Sequence, residues 1–92
     1  EYHVAFSEDG TINGMKLDYC SDGGNTIDIS FAVLKGSVMM SDGCYGIPTF
    51  QAGGTVFKTH KASNTAFRTF GQVQPHLIQE EAVERVAFEL SK

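Results

Sequence analysis

The chain has no tryptophan, only two prolines and two cysteines, and no long apolar run. A membrane-spanning helix needs about 18 or more consecutive apolar residues, and no stretch approaches that length. Two cysteines cannot complete a tetrahedral zinc site alone, and Cys20 and Cys44 do not have redox-motif spacing. These absences exclude a membrane span and a cysteine-based zinc site.

Positive charge is also scarce, with seven Lys and Arg against eleven Asp and Glu, giving a net charge of −4. The first 42 residues contain seven acids and two bases, whereas residues 43–79 contain three bases and no acid. An acidic chain with a pI near 5.2 is not typical of a general nucleic-acid binder. We therefore expect no nucleic acid as a partner, although one local basic surface is possible.

Alternating apolar residues predict strands over the first three quarters of the chain. The clearest is Thr26–Leu34, where Ile27, Ile29, Phe31 and Val33 alternate with polar or small residues. Lys35–Gly36 is expected to connect it, as a hairpin, to a strand at Ser37–Met40. A second hairpin is predicted from Thr55–His60 and Ala66–Phe70. Further strands are expected at 2–6 and 15–20, and residues 41–54 are expected to be irregular.

The period changes to helical near the C-terminus. Between Pro75 and Leu90, one face carries Ile78, Ala82, Val83, Val86, Ala87 and Leu90. Pro75 suits a first helical turn. The predicted fold is therefore α+β: an antiparallel sheet, or a partly closed barrel or sandwich, of five to seven strands with one C-terminal helix. We expect a single compact domain over 1–92, with strands at about 2–70 and the helix at about 75–90.

The two cysteines lie beside turns, since Cys20 precedes Ser-Asp-Gly and Cys44 follows Ser-Asp-Gly. A Cys20–Cys44 disulfide would stabilise so small a domain by about 3.5 kcal/mol in the chain-entropy description. The sequence favours this disulfide, with two separate buried thiols as the alternative. Because the sequence begins at Glu1 and not at Met, we expect that an N-terminal segment such as a signal peptide has been removed.

A candidate anion site lies on the predicted second hairpin. If that hairpin is symmetric about Ser63, Lys58 lies opposite Arg68, with His60 beside them. Opposed like charges are destabilising unless something compensates, and a bound phosphate, sulfate or carboxylate would do so. The alternative is a solvated face, or a register in which the charges do not meet.

Other signatures of catalysis or cofactor binding are missing. The histidines have no metal-ligand spacing, and the paired glycines lack the lysine and helix of a phosphate-binding loop. There is no nucleophile motif. We expect no metal, no cofactor and no catalytic residue, with a small metal-independent ribonuclease using His60 as a minor alternative.

Two apolar residues project from the side of the predicted helix that lies opposite its main apolar face. Leu77 and Phe88 lie eleven residues apart, and Glu81 and Glu84 lie between them on the same side. A second apolar stripe on a helix already committed to a core indicates a second burial surface. A two-fold homodimer is the preferred explanation. Another protein partner, or a loop of the same chain, are the alternatives.

In general character the chain resembles small secreted effector or elicitor proteins of fungi. The features that carry the resemblance are the Cys20/Cys44 pair and strands followed by a helix. It implies a secreted, non-enzymatic protein that acts by binding, either recognised by a host or acting on a host component. The alternatives are a secreted killer-toxin or antimicrobial protein, and a small ligand- or sugar-binding module using Tyr45, Phe50 and Phe57.

Overall fold

A computed structural model describes residues 1–91 of the chain. Strands β1 (Tyr2–Phe6) and β2 (Ile12–Gly24) form an antiparallel hairpin in which Val4 pairs with Met15. The turn between them is closed where Gly10 N–H donates to the Ser7 carbonyl (2.9 Å) and Thr11 N–H donates to the Asp9 carboxylate (2.9 Å). Gly10 has a φ of 94°, a conformation that glycine adopts without steric penalty.

Helix α1 (Ser30–Met39) connects β2 to strand β3 (Thr49–Lys58), which lies parallel to β2. Parallel neighbours require a crossover, and a helix usually supplies it. The sheet order is β1-β2-β3, with β2 in the centre. A short 3₁₀ turn (Thr69–Gly71) then leads into helix α2 (Val73–Glu89).

The core is small and lies on one side of the sheet. Met15, Leu17 and Tyr19 alternate along β2 and are buried against Leu34 of α1 and Ala82 of α2. This is the period-two pattern of a strand with one covered face. Partly buried apolar residues surround the cluster, namely Tyr2, Val4, Val38, Ile47, Phe50, Ala52, Val56 and Ile78.

The predicted class, α+β, is confirmed, but the strand count and sheet type are not. Within residues 1–91 the structure has three strands in an open mixed sheet, not five to seven in an antiparallel sheet or barrel. Helix α2 lies within one or two residues of its predicted bounds, and its buried side contains Ala82 and Val86 of the predicted face.

The prediction for 26–40 was wrong. The residues expected to form a strand, a hairpin connection and another strand instead form a turn followed by α1. The alternating apolar residues do not form a buried face, since Ile27 and Phe31 are 62% and 65% exposed. The buried residues of α1 are Ser30, Leu34 and Ser37, whose spacing is helical but whose composition is mostly polar.

The prediction for 41–70 was correct only in part. Residues 55–58 belong to a strand as expected, but β3 begins at Thr49, directly after Pro48 and inside the stretch expected to be irregular. The expected strand at Ala66–Phe70 is absent, so there is no second hairpin. None of the helices in the described part of the chain is both long and apolar enough to cross a membrane.

Candidate functional site

The most unusual backbone lies between β3 and α2. Arg68, Thr69 and Phe70 are consecutive residues with φ values of 60°, 56° and 48°, and Gly71 follows with 86°. Such values are uncommon for residues other than glycine. Each costs on the order of 1–3 kcal/mol and persists only where the surroundings impose it, which happens most often at functional sites. We call Phe67–Gly71 the strained segment.

Helix α1 holds the C-terminal end of the strained segment. The buried Ser37 hydroxyl donates to the Gly71 carbonyl at 2.6 Å. At Gly36, a β-carbon would lie 2.7 Å from the Phe70 carbonyl oxygen. The close approach therefore depends on a glycine in the middle of α1, where glycine otherwise lowers helix stability.

On the N-terminal side of the strained segment, residues 59–64 are hydrogen-bonded to the C-terminal end of β2 and to Asn25. Asn25 N–H donates to the Lys61 carbonyl (2.9 Å), and Asn64 N–H donates to the Gly23 carbonyl (3.2 Å). The Asn64 side-chain amide also donates to the Asp22 carbonyl at 2.7 Å. The chain from Thr65 to Phe70 is therefore a loop anchored at both ends.

The middle of this loop faces away from the core. Phe67 is 91% exposed, and Arg68 is exposed as well. Within residues 1–91, Arg68 takes part in no ion pair. A guanidinium offers five N–H donors in a planar fork that matches carboxylate, phosphate or carbonyl oxygens. The strained segment can thus present a cation and an aromatic ring to a molecule outside this part of the chain.

Asp22 is the charged residue that binds residues 59–64 to the end of β2; we call these contacts the anchor. Its carboxylate accepts hydrogen bonds from Lys61 Nζ (2.6 Å) and the Thr59 hydroxyl (2.6 Å). The Lys61 ammonium, the Thr59 hydroxyl and Gly24 N–H hold the pKa of Asp22 at about 2, below its ordinary 3.8. The anchor is therefore charged throughout the neutral range.

This pKa predicts how the anchor responds to acid. Because the folded pKa lies below the ordinary value, the stabilisation is complete above pH 3.8 and is lost as pH falls towards about 2. Hydrogen exchange of residues 59–64, corrected for intrinsic rates, should accelerate over this range in the wild-type protein. An Asp22→Asn variant should exchange faster at neutral pH and show no such transition. An identical pH profile in both proteins would contradict this assignment.

The three predicted anion-site residues are not brought together as expected. Because 66–70 is not a strand, Lys58 and Arg68 are not cross-strand partners, and the symmetry about Ser63 does not exist. Lys58 ends β3 and lines a surface pocket of about 390 Å³ with Ile27 and Phe57. His60 is exposed in the anchored stretch. The register argument is wrong, and only Arg68 lies in the strained segment.

The glycine-rich turn beside that pocket does not offer amides to an anion. Gly24 N–H donates to the Asp22 carboxylate, Asn25 N–H to the Lys61 carbonyl, and Thr26 N–H to the Ser63 hydroxyl. Phosphate-binding turns leave successive N–H groups free for the ligand. Here the turn serves to anchor residues 59–64.

The structure shows no disulfide. Cys20 on β2 and Cys44 in the turn after α1 are both exposed free thiols. The predicted bridge is therefore wrong. No group of three or more His, Cys, Asp or Glu side chains within residues 1–91 could hold a metal ion.

The aromatic residues considered for ligand binding have separate surroundings. The Tyr45 hydroxyl donates to the Glu80 carboxylate at 2.9 Å, and this carboxylate raises the pKa of Tyr45. Phe50 packs against the core cluster, whereas Phe57 lines the pocket beside Lys58. They do not form one binding surface.

The predicted interface stripe on α2 is exposed. Leu77 and Phe88 are 70% and 71% exposed, with Glu81 and Glu84 also at the surface. The Arg85 guanidinium lies 5.9 Å from the centre of the Phe88 ring, and the Tyr2 hydroxyl donates weakly to Glu81 at 3.4 Å. No loop within residues 1–91 covers Leu77 or Phe88, so that alternative is excluded for this part of the chain.

Sequence reasoning missed the strained segment itself, because Ala66–Phe70 was expected to be the second strand of a hairpin. The available signal was Gly71 directly before a helix, since glycine often marks backbone that other residues adopt only with strain.

Comparison with known proteins decides the family. The sequence matches the family described as "Molybdopterin cofactor-binding domain" over residues 1–92. The chain belongs to this family. It is 41% identical to xanthine dehydrogenase 1 of Arabidopsis thaliana over 92 residues, and 38% identical to xanthine dehydrogenase/oxidase of Felis catus over 86. The alignments cover 100% and 94% of this chain, but only 7% and 6% of those relatives.

The family overturns the functional predictions. The chain matches a molybdopterin cofactor-binding family, and the relatives named here are dehydrogenases. A further one, xanthine dehydrogenase of Oryza sativa subsp. japonica, is 40% identical to this chain. The resemblance to secreted fungal effectors or elicitors was wrong, as were the expectations of a secreted protein and of a non-enzymatic binding role. The resemblance rested on a cysteine pair and on strands followed by a helix, which are general features that do not identify a family.

Proposed function

We propose that this chain is one segment of the cofactor-binding region of a larger oxidoreductase of the xanthine dehydrogenase type. The family match covers the whole chain, and the relatives named above are xanthine dehydrogenases. The observation that carries a role for this segment is the run of four residues with positive φ from Arg68 to Gly71, which is held by α1 and leaves Arg68 exposed.

The strained segment fits an anionic partner. Arg68 is exposed and takes part in no ion pair in the described part of the chain, and Thr65 and Thr69, which lie close to it in sequence, are exposed as well. These side chains would hold a negatively charged or carbonyl oxygen, belonging either to the cofactor or to the substrate. When bound, the molybdopterin cofactor supplies the redox chemistry of such an enzyme. In this proposal, the chain's own part is to position Arg68.

An Arg68→Met substitution tests this role in the full-length protein. Loss of one preorganised donor at a reacting centre lowers turnover by about 100-fold or more, and we expect a fall of about 100-fold in kcat/KM for xanthine oxidation. Molybdenum content should be measured in the same preparation. If it is retained, Arg68 acts on the substrate; if it falls with activity, Arg68 holds the cofactor.

A Lys58→Met variant is the matched control. It removes an exposed cation from the same region but outside the strained segment, and it should leave activity and molybdenum content near wild type. If Arg68→Met also retains both properties, the role proposed for Arg68 is wrong.

We also propose that the Leu77–Phe88 stripe is a dimer interface. Its two apolar side chains are exposed on a helix whose opposite side is already buried. A Phe88→Glu change places a charge in such an interface and should convert a dimer of the full-length protein to a folded monomer in light scattering. A Glu8→Lys control, which changes an exposed charge in the turn between β1 and β2, should leave the dimer intact. A dimer unaffected by Phe88→Glu would exclude this stripe.

A further inference from the structure

Strand β3 has one edge that nothing in the described chain occupies. It is ten residues long, and it pairs only with β2. Helix α1 does not cover the edge, because it packs on the face of the sheet, where Leu34 lies above Gly54. The outer edge of β3 therefore presents unpaired N–H and C=O groups between Thr49 and Lys58.

Between Thr49 and Phe57, this edge has none of the features by which proteins protect exposed strands. Natural edges are short, charged, interrupted by proline or bent by a bulge. From Thr49 to Phe57 there is no charged residue and no proline, and the register with β2 is unbroken. Pro48 and Lys58 flank this stretch and do not interrupt it.

Glycine in the middle of β3 makes the edge easier to approach. Gly53 and Gly54 carry no side chain, and Gly54 is exposed, so its backbone is open to solvent. Glycine within a strand often marks a place where another backbone comes close. By contrast, the opposite edge of the sheet is β1, which is only five residues long and has an irregularity between Ala5 and Phe6.

The chain exposes more surface than a free-standing protein of its mass. Its solvent-accessible area is 6336 Å² and its radius of gyration is 14.8 Å. A free-standing folded protein of 10.0 kDa exposes about 5,200 Å², and its radius of gyration is about 12 Å. The excess indicates faces that are normally covered. The relatives described above provide ample chain, because the aligned segment is only 6–7% of their length.

We propose that a strand of the same polypeptide, from outside residues 1–92, pairs with the outer edge of β3 and extends the sheet to four strands. This rests on the proposed function only in that the chain is a segment of a longer protein. The added strand would also fix β3, whose C-terminal end leads directly into the anchored residues 59–64.

Hydrogen exchange at single-residue resolution in the full-length protein tests the pairing. Along a strand, successive residues direct their N–H groups to opposite sides, so β2 can protect only every second amide of β3. With the added strand, all amides from Phe50 to Phe57 should exchange at least about 100-fold more slowly than unstructured peptide. An alternating pattern of slow and fast amides would overturn the proposal.

Dilution separates this occupant from a second copy of the chain. Protection given by the same polypeptide should not change with protein concentration. Protection that disappears on dilution would contradict the proposal in favour of pairing between copies. Xanthine oxidation and molybdenum content, measured on the same sample, report on the proposed function separately. An inactive protein with a fully protected β3 would therefore refute the function and not the pairing.

Discussion

Alanine at position 71 is expected to destabilise the α1–α2 region by about 3 kcal/mol or more. Gly71 has a φ of 86°, and a β-carbon there would clash with the Val33 carbonyl oxygen and lie 2.6 Å from the Ser37 hydroxyl. Both of these atoms belong to α1, so the strained segment would have to move away from that helix. We therefore expect loss of protection from hydrogen exchange over residues 66–72 in the full-length protein, together with loss of the oxidoreductase activity proposed above.

The matched control for this prediction is Gly46→Ala. No atom lies within 4 Å of the β-carbon position at Gly46, and its φ is not positive. This variant should exchange and react as the wild type does. If Gly71→Ala behaves in the same way, α1 does not determine the shape of the strained segment.

Truncation of Leu17 to alanine should have an effect of similar or larger size, for a different reason. Leu17 is 0% exposed near the centre of β2, between Met15 and Tyr19, the strand's two other residues in the hydrophobic core. Removing so buried a leucine leaves a cavity and costs about 3–5 kcal/mol. We expect a low yield of soluble full-length protein and faster thermal inactivation.

Lys16→Ala provides the control for Leu17. Lys16 is the adjacent residue on the exposed face of the same strand, and its ion pair with Asp18 (3.4 Å) is half exposed. Surface pairs of this kind contribute little, so the change should stay within about 0.5 kcal/mol. Equal losses from both substitutions would show that β2 does not have a single buried face.

The sequence was informative where a hydrophobic pattern and burial coincide. Met15, Leu17 and Tyr19 alternate and are buried, and the Ala82/Val86 side of α2 is apolar and buried, so these elements were predicted correctly. Local periodicity works there because each element buries its own apolar side against a common core.

It failed where small or polar residues make the contacts. Helix α1 buries Ser30 and Ser37 and approaches its neighbours through Gly36, so its apolar residues give no helical signal. The parallel pairing of β3 with β2 requires α1 as the crossover, so it could not be predicted once α1 had been interpreted as two strands and a turn. The strained segment depends on contacts with α1, and no propensity predicts three consecutive left-handed residues.

The parallel pairing of β2 and β3 has a consequence for the order in which the structure forms. It joins residues as distant in sequence as Gly14 and Thr49, so it requires closure of a long loop before any contact compensates for the lost entropy. The β1–β2 hairpin and the two helices are local and can form early. The strained segment is held directly by α1, and the preceding residues 59–64 are held by the end of β2, so it needs both elements already in place. Arg68 therefore reaches its position only after β2 and α1 have formed.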